Sequence, residues 1–170
     1  GVGCDNVDLE AASEHGVVVT RVAKADERDA VAELSVALIM ACARSVVPAC
    51  RAALDGRWDD RAGFVGRELS AATVGVVGFG SIGSRVGEIM SRGFGSRVLA
   101  YDPGVDAEAV KAYGAEPSPL EDMLPQCDIL SLNAELTADN YGMIGQRELE
   151  ALDATLEELP VTVLLDVEAS

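Results

Sequence analysis

The residues best suited to chemistry lie between Thr73 and Asp102, in the stretch TVGVVGFGSIGSRVGEIMSRGFGSRVLAYD. Gly78, Gly80 and Gly83 stand in the spacing G-x-G-x-x-G. In such a turn the first glycine permits a tight bend, the second lets backbone approach a phosphate, and the third lets a helix pack on a strand. A helix opening near Ser81 would offer free N–H groups and the positive end of its dipole, so a pyrophosphate is the group this turn suits. Asp102 lies 102 − 83 = 19 residues beyond Gly83. There a carboxylate at a strand end can accept hydrogen bonds from an adenosine ribose and repel a 2′-phosphate, which selects NAD over NADP. The same residues also suit a purely architectural role, with the glycines permitting close packing and Asp102 capping the turn at Pro103-Gly104.

These groups need a strand, a helix and a second strand to hold them. Thr73 to Val77 is short, β-branched and apolar on both faces, as in a strand covered by helices on either side of a parallel sheet. Arg97 to Tyr101 is the second such run. Beyond Asp102 the pattern predicts a helix over Asp106 to Tyr113 closed by Gly114, a turn at Pro117 and Pro119, and a helical turn over Leu120 to Leu124. A strand follows over Asp128 to Leu132. Asn133 to Asn140 is then a loop at that strand's C-terminal end, the edge where ligands bind in open α/β sheets. A helix from about Gln146 to Leu152, a second turn to Leu159 and a last strand over Val161 to Asp166 complete the alternation. The fold class expected is α/β, a doubly wound parallel sheet of Rossmann-like type with right-handed crossovers.

Upstream, Asn6 or Asp8 can cap a helix running to about His15, with Gly16 just past its end. His15 is the only histidine and falls in that last turn, facing the helix dipole. Val17 to Thr20 reads as a short strand and Arg21 to Arg28 as a polar crossover loop. The longest helix is expected over about Asp29 to Leu54, kinked at Pro48. Its first half is apolar nearly all round, so it should be buried against the core on one side and a second copy on the other, which predicts a homodimer. Trp58, the only tryptophan, suits either a local cap on the core or an anchor across that dimer.

Of 170 residues, 29 are acidic and 13 basic, for a net charge of −16. That balance argues against nucleic acid or an anionic membrane as partner. Lys24 and Lys111 are the only lysines. An acid-rich, lysine-poor, aromatic-poor chain suggests adaptation to high salt, where screening relieves self-repulsion; an arginine-biased acidic protein without halophily is the other reading. Cys4, Cys42, Cys50 and Cys127 form no C-x-x-C pair, which fits a reduced, cytoplasmic setting and no metal site. No signal peptide opens the chain, and Ala30 to Ala43 carries Glu33 and is too short to span a bilayer. The opening GVGCDN has no initiator methionine, so one domain plus a piece of another is expected.

Taken together, GVGCDNVDLEAASEHGVVVT, the Val31-Ala32-Glu33 helix, Gly56-x-Trp58, GxELxxxTVGVVGFGSIG and VLAYDP resemble the NAD-dependent D-isomer-specific 2-hydroxyacid dehydrogenases over roughly residues 1 to 150. The opening phrase is closest to members that oxidise 3-phosphoglycerate, and glyoxylate, hydroxypyruvate and lactate enzymes share it. The resemblance implies two domains with the active site between them: residues 1 to 24 as the tail of a substrate domain, residues 25 to 170 as the NAD-binding domain. It implies that Val2 and Gly3 offer backbone N–H groups to the substrate carboxylate, Val2 bordering the nicotinamide. Ser81 and Ile82 match the pair that contacts the pyrophosphate, Asp102 the ribose acid, and Ala134 a position in the loop on the adenosine side. The helix over 29 to 54 matches the family's dimer helix.

Two departures stand out. Where the family reads His-x-Pro-Leu-Thr, this chain has Asn133-Ala134-Glu135-Leu136-Thr137, which adds a negative charge near the cofactor. The family's acid/base histidine, the glutamate that raises its pKa and the substrate-clamping arginine have no match here. Aligned directly, VTVLLDVEAS puts Ala169 at the arginine position; with an internal deletion, Asp166 matches the acid that bonds the nicotinamide carboxamide. The expectation is an NAD-binding core of an oxidoreductase acting on the CH–OH group of a D-2-hydroxy acid, inactive by itself. The alternatives are a non-catalytic NAD-binding dimeric regulatory module and a degenerate fragment.

Overall fold

The computed structural model describes residues 7–20 and 24–153. Its centre is a four-stranded parallel sheet in the order β3-β2-β1-β4, built from β1 (Thr73–Val77), β2 (Arg97–Tyr101), β3 (Glu116–Pro117) and β4 (Ile129–Leu132). β1 pairs with both β2 and β4, with Val74 opposite Val98 and Ile129. Because successive side chains alternate faces, Val74, Val76, Val98, Ala100 and Ile129 form one core with the helices above them, and Val77, Leu99 and Leu130 form a second below. This is why both strands read as continuous apolar runs.

Upper-face cover comes from α2 (Lys24–Ala43), α4 (Ser81–Glu88) and α5 (Ala107–Ala112). On α2, Ala32, Ser35, Val36, Ile39 and Ala43 are buried at the three- and four-residue spacing of one helix face. Ser35 hides its hydroxyl by donating to Val31 O at 2.9 Å. Below lie α6 (Leu120–Met123) and α7 (Gln146–Asp153), whose Met123 and Leu152 are buried. Space for the lower core is shared between Gly75 and Cys127. A Cβ on Gly75 would stand 2.6 Å from Cys127 Sγ and 3.0 Å from Leu130 Cδ1.

The expected single helix over 29 to 54 is two helices. α2 starts earlier, at Lys24, so most of the expected crossover loop is helical; α3 (Val46–Leu54) follows at a bend of 63°. The break is at Arg44-Ser45, with Ser45 left-handed at φ 51°, and not at Pro48. Pro48 sits in the first turn of α3, where a missing N–H costs no intrahelical bond. Val17 to Thr20 pairs with no strand among the described residues, and Val18 is 85% exposed. A β-branched run becomes a strand only where a neighbour supplies hydrogen bonds. α1 (Leu9–Glu14) is capped by Asp8, which accepts from Ala11 N at 2.9 Å, and closed by Gly16 at φ 65°. β3 was not expected; its Pro117 is tolerated because β3 is an edge strand. Trp58 opens a 3-10 turn and is 68% exposed, over a hollow of about 160 Å³ lined by Ala49, Ala52, Ala53 and Phe64. Among the described residues no single helix is long and apolar enough to cross a membrane. The expected turn to Leu159 and the strand over Val161 to Asp166 lie outside the described residues.

Candidate functional site

In the order β3-β2-β1-β4 the chain leaves β1 towards one side of the sheet and later returns on the other, so a crevice opens at the C-terminal ends of β1 and β4. Three chain segments meet there: the turn from Gly78 to Gly83 after β1, Asp102 after β2, and Asn133-Ala134 after β4. Backbone bonds tie them together, Gly78 N donating to Tyr101 O at 2.9 Å and Asn133 N to Val77 O at 2.7 Å.

The three glycines have three different environments. Gly78 has φ 81°, and a Cβ there would meet Ala134 Cα at 2.6 Å and Asn133 C at 2.7 Å, so it is required by both conformation and packing. At Gly83 a Cβ would overlap the Gly78 carbonyl oxygen and stand 3.2 Å from Val76 Cγ1, so it lets α4 close on β1. Gly80 differs. Its φ is −71°, and a Cβ would meet nothing within 4 Å. Neither strain nor protein packing asks for glycine at that point, while the open space beside it leaves room for a group from outside. Gly80 is also the N-cap of α4, and no side chain caps that helix. Ser81 and Ile82 form its first turn, where N–H groups have no intrahelical acceptor.

Phe79, between the first two glycines, turns inward. It is 3% exposed, packs edge-on to Tyr113 at 6.2 Å and anchors the turn to the upper core. Its N–H points the other way, donating to Asp102 Oδ2 at 2.7 Å, while Gly104 N donates to Asp102 Oδ1 at 2.8 Å. Asp102 therefore does cap the turn at Pro103-Gly104, and it also braces the glycine turn. Each carboxylate oxygen accepts up to two hydrogen bonds, so each retains capacity for a ribose hydroxyl.

Of the expected site residues, Gly78, Gly80, Ser81, Ile82, Gly83, Asp102 and Ala134 are gathered at this crevice. Val2, Gly3 and Asp166 lie outside the described residues. His15 is remote in role as well as sequence: it ends α1, is exposed, and its Nδ1 lies 2.8 Å from Ala11 O. The two asparagines that bound the loop after β4 make side-chain bonds that the sequence did not foretell. Asn133 Nδ2 donates to Ser131 Oγ at 3.0 Å and to Ser131 O at 3.3 Å, leaving Oδ1 buried without a hydrogen-bond partner. Asn140 brackets the following loop. An asparagine immediately past an apolar strand was the one available signal. No group of His, Cys, Asp and Glu able to hold a metal ion occurs among the described residues.

The family model for the D-isomer specific 2-hydroxyacid dehydrogenase, NAD binding domain, matches residues 36–156. This chain belongs to that family. D-3-phosphoglycerate dehydrogenase of Rattus norvegicus is 37% identical over 145 residues, covering 85% of this chain and 27% of the rat protein. Glyoxylate reductase of Thermococcus litoralis is 36% identical over 157 residues, covering 89% of this chain and 47% of that protein. The chain thus spans less than half the length of either relative. Among solved structures, apo D-lactate dehydrogenase from Escherichia coli superposes with a TM-score of 0.81 at 32% identity, over 96% of this chain and 49% of the other. D-lactate dehydrogenase from Aquifex aeolicus, solved with NAD and lactic acid, gives 0.74 at 30% identity, over 89% and 45%. The matched region of this D-2-hydroxyacid dehydrogenase family member is the NAD-binding domain, and the turn, carboxylate and crevice suit that cofactor.

Proposed function

We propose that this chain is the NAD-binding core of a phosphoglycerate dehydrogenase-like oxidoreductase that acts on the CH–OH group of a D-2-hydroxy acid, with hydride transfer to NAD. The observation that carries the reading is Gly80: open space beside the start of α4, next to a carboxylate braced at the end of β2. In this reading Gly78 and Gly83 shape the turn, and Gly80, Ser81 and Ile82 present backbone to the pyrophosphate. Asp102 accepts from the adenosine ribose, and Ala134 lines the opposite wall. NAD, when bound, supplies the hydride acceptor. Val2 and Gly3 would hold the substrate carboxylate and Asp166 the nicotinamide carboxamide. The division into a substrate-domain tail over 1–24 and an NAD-binding domain over 25–170 belongs to the same proposal.

A homodimer through residues 29–54 is supported by the outer face of α2 and α3, where Leu34, Leu38, Met40, Val46 and Val47 are all exposed. Sedimentation should give a dimer that Leu38→Glu with Met40→Glu converts to monomer. A reducing, cytoplasmic compartment fits the free thiols of Cys42, Cys50 and Cys127.

The deciding experiment is a fluorescence titration of the chain with NADH and, in parallel, NADPH. Micromolar binding that prefers NADH supports the reading, and a folded chain that binds neither refutes it. With His15 bonded locally on α1 and no match to the family's acid/base set, the purified chain alone should not oxidise 3-phosphoglycerate or D-lactate.

A further inference from the structure

The loop between β4 and α7 borders the crevice yet has no regular structure from residue 133 to 145. Its two ends are fixed. At the entry, Asn133 and Ala134 press against Gly78, as described above. At the exit, Glu148 Oε2 accepts from Gly145 N at 3.1 Å, the reach-back half of a helix cap, and Met143 and Ile144 pack on the lower core.

Between these ends the side chain of Asn140 braces the loop at two points. Asn140 Nδ2 donates to Glu135 O at 2.7 Å, and Asn140 Oδ1 accepts from Thr137 N at 2.7 Å. Both bonds cross the loop, so a single carboxamide fixes the backbone on either side of Leu136. Leu136 itself is 54% exposed and Tyr141 81% exposed, so apolar packing contributes little there. The donor-acceptor polarity is unambiguous, since Glu135 O can only accept and Thr137 N can only donate. Neighbouring Ala134 is the residue whose backbone fits against Gly78, so play in the loop is passed directly to the wall facing the glycine turn.

We infer that Asn140 is a positioning residue for the dinucleotide: its carboxamide holds loop 134–140 as a formed wall of the crevice, and binding affinity depends on that bracket. The inference rests on the cofactor reading above. Preformed walls bind more tightly because the ordering cost is met before the ligand arrives.

The test uses Asn140→Ala, which removes both bonds, and Asn140→Asp, which keeps the acceptor for Thr137 N and sets a carboxylate against Glu135 O. NADH affinity, melting temperature and hydrogen exchange of the Thr137 amide are read on all three proteins. Expected is an NADH Kd raised at least fivefold in Asn140→Ala, a smaller rise in Asn140→Asp, faster Thr137 exchange in Asn140→Ala alone, and melting within 2 °C of the parent in both, on the order expected for a surface-loop change. An unchanged Kd alongside a lowered melting temperature overturns the inference and leaves the cofactor reading standing, because Asn140 is then structural only. An unchanged Kd with faster Thr137 exchange also overturns it. If the parent chain, folded, binds no NADH, both fall together.

Discussion

Gly78 and Gly80 are two residues apart and chemically identical, and the structure gives them opposite fates on replacement by alanine. At Gly78 the methyl would force a side chain into φ 81° and bring it 2.6 Å from Ala134 Cα and 2.7 Å from Asn133 C, both backbone atoms that cannot swing away. The left-handed conformation costs about 1–2 kcal/mol, and overpacking against a rigid wall about 3 kcal/mol. The sum is about 4–5 kcal/mol, or melting lowered by roughly 8–20 °C in a chain of this size. At Gly80 the methyl meets nothing within 4 Å and φ is −71°. The cost is limited to the poorer capping propensity of alanine, about 1 kcal/mol or less. That methyl stands where a pyrophosphate would approach, so NADH affinity should fall at least about tenfold, which corresponds to 1.4 kcal/mol. Thermal melts by circular dichroism and NADH fluorescence titrations separate the two effects. A Gly80→Ala chain that is folded and binds NADH within twofold of the parent would refute the assignment of that open space to the cofactor. A Gly78→Ala chain that melts with the parent would refute the packing argument.

Asp102→Ala should abolish NADH preference and weaken binding at least about tenfold, because it removes the proposed ribose acceptor and the brace on Phe79 N together; a parallel NADPH titration shows whether discrimination vanishes with the charge. Molar KCl should raise the melting temperature, since a net charge of −16 is self-repelling and the Debye length shrinks to about 3 Å at 1 M salt; a flat response favours the arginine-biased reading without halophily. Burial pushes the Cys127 thiol up to about 12, so in a Cys4→Ser chain at pH 8 a thiol reagent should titrate the exposed Cys42 and Cys50 quickly and Cys127 only after unfolding. Stability associated with keeping this thiol neutral is intact below its ordinary value near 9 and is lost as pH rises towards 12, so alkaline melting should begin later in Cys127→Ala.

The strands and the glycine turn were legible because their signals are local. β1, β2 and β4 read as apolar runs since both faces of each are covered, and Gly114 at φ 79° closes α5 where glycine punctuation put it. The turn-capping role of Asp102 was legible from its place before Pro103-Gly104, whereas its bond from Phe79 N, which braces the glycine turn, was not. The break at Ser45 was not legible: neither Arg44 nor Ser45 carries a breaker's chemistry, and Pro48 nearby does. Val17 to Thr20 misled because strand formation depends on a neighbour that no run of four residues can specify. Asn140 was hidden for a related reason. Its two bonds reach back three and five residues through a loop, and such bracketing has no periodicity to detect.

The shared volume beneath the sheet has a consequence for substitution. Gly75 has room for no side chain because Cys127 Sγ occupies that place, so the two positions hold one quantity of matter between them. A side chain can be added in the middle of β1 only if the one at residue 127, two positions before β4, gives up volume and Leu130 shifts with it. Gly75→Ala should therefore destabilise the chain, and Cys127→Ala, which removes the sulfur in its way, should relieve part of that cost in the double variant.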